Sequence, residues 1–70
     1  MNKIAAVNYY HYTRDGLHYI ELEMINYKNG VTTWKRYSNK SKQKVYAIAK
    51  TQETKFYNRL NKIYGGKNNG

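Results

Sequence analysis

The chain has 70 residues, a formal charge of +9, no cysteine and no proline. That length makes one small domain with a thin core, and without thiols neither a disulfide framework nor a thiolate zinc site can staple it. The longest apolar run, Ile4-Ala5-Ala6-Val7, falls far short of the ~20 residues of a membrane span and of a secretory signal, so the expectation is a soluble protein of the cytoplasm, that of a host cell if a phage encodes it.

In chain order, the first strand is predicted over about Ile4 to Thr13, ahead of an Asp15-Gly16 turn. Its register is open: either Tyr9 and His11 or Tyr10 and Tyr12 face the core. The second strand runs from Leu17 to about Tyr27. Ile20, Leu22 and Met24 form an apolar stripe there, and Glu21 and Glu23 share the other face. The third strand runs from Val31 to Tyr37, after an Asn29-Gly30 turn. A three-residue loop with glycine in the left-handed region pairs Met24 with Trp34 and Glu23 with Lys35, which buries the indole and opposes unlike charges. A two-residue loop would put Trp34 beside Ile25 on the glutamate face. On the preferred register the exposed sheet face carries Glu21, Glu23, Thr33, Lys35, Tyr37 and some first-strand tyrosines.

Ser38 to Ser41 reads as a loop, with Ser41 the helix N-cap. The helix is predicted to reach about Tyr64, with Val45, Ile48, Ala49, Gln52, Phe56, Leu60 and Ile63 on its buried stripe. Gly65-Gly66 stops it. The fold class is α+β: a three-stranded antiparallel sheet with one C-terminal helix packed on it, β-β-β-α. Residues 1–66 form a single small basic domain and 67–70 a flexible tail.

Charge is unevenly spread. The first half balances Lys3, Arg14, Lys28 and Lys35 against Asp15, Glu21 and Glu23, whereas the second sets nine cations against Glu53 alone. Lys35, Arg36, Lys40, Lys42, Lys44 and Lys50 follow one another with no anion between them. Such crowding of like charge points to a polyanionic partner, and lysines at a helix start oppose the helix macrodipole. Lysine and asparagine are also common in AT-rich genomes, but that bias does not explain nine Tyr against one Phe. Tyrosine suits half-buried sheets and wet interfaces.

Catalytic chemistry is thinly represented. His11 and His18, with Glu21 or Glu23, are the only acid–base or metal candidates, and no spacing matches a known motif. The two glutamates could hold a magnesium ion or simply pair with Lys35 across the sheet. No enzyme and no cofactor are expected. The candidate nucleic-acid-binding residues are Trp34, Lys35, Arg36, Tyr37, Lys40, Lys42 and Lys44: cations, hydroxyls and aromatics on accessible elements that contact phosphates and bases.

The order of Gly16 with Tyr19-Ile20-Glu21-Leu22, Asn29-Gly30, Trp34-Lys35-Arg36-Tyr37 and Lys40-Ser41-Lys42 leading to Val45 and Ala49 resembles a known family. These are the arm-type DNA-binding domains at the N-terminus of phage and transposon tyrosine recombinases. The resemblance covers about Asp15 to Phe56 and implies a DNA partner. Two departures stand out: Ser38-Asn39 replaces the usual Gly-aromatic pair, and no recombinase catalytic domain follows Gly70 in this sequence. Ser41-Lys42-Gln43-Lys44 is also similar to the last helix of double-stranded RNA-binding domains, whose first helix has no counterpart here.

Three functions compete. The first is a non-enzymatic nucleic-acid-binding module of phage or mobile-element type, with DNA ahead of RNA as partner. The second is a small phage-type inhibitor of a host nuclease or guide-RNA complex. The third is a small RNA-cleaving toxin. Homodimerisation through the strand edges or the aromatic face stays open.

Overall fold

The computed structural model describes residues 3–65. Three antiparallel strands, β1 (Ala5–Arg14), β2 (Leu17–Asn26) and β3 (Val31–Asn39), pair in sequence order, and one helix, α1 (Lys42–Leu60), crosses one face. The β-β-β-α architecture read from the sequence is the one observed. The third strand runs two residues past its expected end. Gly66 and the tail at 67–70 lie outside the described residues.

The first turn settles the register that the sequence left open. Asp15 (φ 52°) and Gly16 (φ 79°) both occupy the left-handed region, as a type I′ two-residue hairpin requires, and Arg14 pairs with Leu17. Counting back two by two, Val7, Tyr9 and His11 point to the helix side with Ile20, Leu22 and Met24. Tyr10 and Tyr12 share the opposite, open face with Glu21 and Glu23.

The second turn departs from expectation. The loop has four residues, Tyr27 to Gly30, because Asn26 pairs with Val31. Asn26 organises it. Its carbonyl accepts from Gly30 N–H at 2.8 Å, and its side-chain oxygen accepts from Lys28 N–H (2.8 Å) and Asn29 N–H (3.3 Å). Only 9% exposed, this asparagine satisfies the turn's own donors and so favours the longer loop. The extra residue reverses every side chain of β3. Trp34 therefore lies opposite Glu23 on the open face, not with Met24. Lys35 lies opposite Leu22 on the helix side, not against Glu23. The open face carries Thr32, Trp34, Arg36 and Ser38 where Thr33, Lys35 and Tyr37 were expected.

Helix α1 begins at the expected cap: Ser41 is extended (φ −98°, ψ 123°), and its Oγ accepts from Lys44 N–H at 3.2 Å. Val45 and Ala49 close the core over Ile20, Leu22 and Met24, with Val7, Tyr9, Tyr37 and Phe56 packed around them. Leu60 is also buried. Two residues of the expected stripe are exposed: Ile48 at 36% and Ile63 at 62%. Ile48 sits on the shoulder of the helix. Ile63 falls in a π-helical turn, Asn61–Gly65, whose wider winding carries it off the stripe. The α-helix thus stops four residues short of Tyr64.

Candidate nucleic-acid interface

Contacts on both flanks fix how α1 is rolled. On the β1 side, Tyr46 stacks on Tyr9 (centroids 6.1 Å apart) and tilts against His11 (5.6 Å), while Glu53 accepts a hydrogen bond from the Tyr9 hydroxyl. On the β3 side, Gln52, Phe56 and Arg59 line a groove of 110 Å³ with Thr33, Lys35 and Tyr37, floored by Met24.

The pleat divides the candidate residues between two surfaces. Trp34 and Arg36 stand on the open face; Lys35 and Tyr37 stand on the helix side, Tyr37 half-buried against the core and Lys35 exposed at the sheet's edge. Lys40, Lys42 and Lys44 follow at the loop and first helical turn, all exposed, and that turn holds no acidic residue. One residue was missed. Arg59 faces Lys35 across the groove, and its signal was the i, i+4, i+7 spacing of Gln52, Phe56 and Arg59. Lys55, four residues before Arg59, lies along the same flank.

The open face is an aromatic comb. Trp34, 52% exposed, tilts against Tyr10 with centroids 5.8 Å apart. Tyr12 stacks on Tyr19 at 5.1 Å, and the Arg36 guanidinium lies over Tyr19 at 5.8 Å. Both glutamates are held by neutral donors. Glu21 accepts from the Tyr12 hydroxyl (3.0 Å), and Glu23 from Asn8 Nδ2 (3.1 Å) and the Tyr10 hydroxyl (3.3 Å). The charge of Glu23 raises the Tyr10 pKa above its ordinary value, with smaller contributions from desolvation and the hydrogen bond. On the helix side, burial first, and then the hydrogen bond to Glu53 and its charge, push the Tyr9 hydroxyl well above the usual tyrosine range.

On the helix side acidic groups avoid the β3 flank; on the open face Glu21 and Glu23 lie directly opposite Arg36 and Trp34 of β3. The two ion pairs among the described residues are Arg14–Asp15 at the first turn and Lys50–Glu53 on the β1 side of the helix, both at 3.8 Å. Lys35, Arg36, Lys40, Lys42, Lys44 and Arg59 take part in neither. The histidines do not meet the glutamates: His11 Nε2 and His18 Nδ1 share a hydrogen bond of 3.0 Å on the helix side, across the sheet from Glu21 and Glu23. Among the described residues no group of three or more His, Cys, Asp or Glu is placed to hold a metal ion, and no helix is long and apolar enough to cross a membrane. No protein-family model, curated protein or solved structure matches the chain.

Proposed function

We propose that this chain is a non-enzymatic nucleic-acid-binding module of phage or mobile-element type whose target is duplex DNA. One observation carries the reading. Lys35, the loop after β3 and the facing flank of α1 present cations with no carboxylate partner among the described residues, while Asp15 lies at the first turn, Glu21 and Glu23 on the open face with Glu21 opposite Arg36, and Glu53 on the far side of the helix. Neighbouring strands lie about 4.8 Å apart, so three span roughly 10 Å, which the ~12 Å major groove accommodates. With the open face in the groove, Trp34 and Arg36 reach base edges. Lys35, Lys40, Lys42 and Lys44 reach the phosphates alongside, and Arg59 extends that row. Glu21 and Glu23 then accept from cytosine amino groups, which offsets their repulsion of phosphate.

The test is the salt dependence of binding to a labelled duplex. Each lost phosphate contact flattens the slope of log affinity against log salt by about 0.9, so replacing Lys40, Lys42 and Lys44 together by Gln should flatten it by about 2.7. An unchanged slope contradicts the reading.

A second reading rests on the open face itself, where four aromatics and balanced charges make a surface of the composition found at protein interfaces. On that reading the chain inhibits a host nuclease or guide-RNA complex. Trp34→Ala then abolishes binding to that protein, which persists at high salt and in the triple-Gln variant.

A further inference from the structure

We propose that β1 is a self-pairing edge, joining two copies of this chain into a continuous six-stranded antiparallel sheet. This does not depend on what the β3 flank binds.

Both β1 and β3 are outer strands, and an outer strand exposes a row of unpaired backbone groups that must be guarded or used. β3 is guarded by Lys35 and Arg36, with Lys40 just beyond it. β1 has no such protection. From Ile4 to Thr13 there is no residue carrying a full charge at neutral pH, no proline and no break in pairing with β2. A chain of net charge +9 can approach its own copy along this side, where the helix carries its one carboxylate, Glu53, beside Lys50.

The register follows from the hydrogen-bond parity. Tyr27 N–H donates to Ile4 C=O at 2.9 Å, so Ile4 and every second residue after it turn their backbone groups toward β2. Ala5, Val7, Tyr9, His11 and Thr13 turn theirs outward. A twofold axis perpendicular to the sheet keeps both helices on one side and must bring some residue opposite itself. Centring it on Tyr9 sets Ala5 against Thr13 and Val7 against His11 of the second copy, so every outward-facing residue of β1 finds a hydrogen-bonding partner. Centring it on Tyr10 leaves Ala5 without one within the strand. The Tyr9 register also brings Lys3 level with Asp15 of the second copy. Among the described residues of one chain Asp15 meets only the exposed Arg14. Finally, the second copy's His11 and Thr13 lie over Val7 and Ala5 on the helix side. There a groove of 430 Å³, bounded by Lys3 to Asn8 and Tyr57, has room for them.

Sedimentation equilibrium of the whole chain tests this. The expected result is a reversible species of twice 8.3 kDa. Val7→Pro removes an N–H that has no partner among the described residues of the monomer, so it should sediment as a folded monomer. If that variant loses its fold, Lys3→Glu decides. It lowers the net charge, so nonspecific association should tighten, whereas loss of the Lys3–Asp15 match should weaken the dimer about fivefold. A wild-type chain that stays monomeric at its highest soluble concentration overturns the proposal. So does a Val7→Pro dimer, or a Lys3→Glu dimer as tight as the wild type.

Discussion

The two outer strands of the sheet do the same structural work with different chemistry. Each pairs with β2 along its length and sends alternate side chains toward the helix: Val7 and Tyr9 from β1, Tyr37 from β3. Beyond that shared duty they diverge. β1 is uncharged from Ala5 to Thr13 and ties itself to the helix through Tyr9, Glu53 and Tyr46. β3 carries Lys35 and Arg36 on opposite faces and an exposed indole between two cation-bearing surfaces. A three-stranded sheet needs only the inward half of each outer strand for its core, so the other half is where the chain is free to specify partners.

The largest effect belongs to what the two strands share. Ile20 and Leu22 are fully buried on β2 beneath both strands and the helix. Leu22→Ala should cost about 2–5 kcal/mol, enough to unfold most molecules of so small a domain in a thermal melt and to remove the functions of both edges together. Next, the triple-Gln change at Lys40, Lys42 and Lys44 should cut duplex affinity at low salt and leave the melting temperature unchanged or raised, because it relieves repulsion at the helix start. Ser41→Ala should cost about 1 kcal/mol through the lost cap, a stability effect without a change in salt slope. Trp34→Ala should lower stability by no more than about 1 kcal/mol, since the indole is half-exposed and packs mainly on Tyr10, and should weaken binding more than it weakens the fold.

The smallest effect is a pH dependence on the β1 side. Because the folded state holds Tyr9 protonated above its ordinary pKa, stability from this group is complete below about pH 10 and is lost as pH rises past it toward the folded value. Wild-type stability should therefore fall above pH 10, and the fall should be shallower in Tyr9→Phe.

The legible parts of the sequence were those governed by a single local rule. Asp15-Gly16 can form a tight primed turn, the Ile20, Leu22 and Met24 alternation can only face a core, and Ser41 ahead of a helical pattern is a cap. The second loop obeyed a longer rule. Asn29-Gly30 is compatible with two tighter turns, yet a side chain two residues before the expected loop, Asn26, fixes a third by accepting from Lys28 and Asn29 N–H. One added loop residue then moved Trp34 and Lys35 to the opposite faces. The cations and aromatics of β3 were thus evident by type, but their division between two surfaces was not legible. Nor was Arg59, whose place depends on how the helix rolls against β3.

The contrast between the strands is tested most directly by following backbone amide signals while duplex DNA is added at low salt. Signals from Trp34, Arg36 and the stretch Asn39 to Lys44 are expected to shift together and saturate. Those of Ala5, Val7 and Thr13 on the β1 edge should stay in place. Shifts concentrated on β1, or no shift at any duplex concentration, would contradict the assignment of the β3 flank as the nucleic-acid surface.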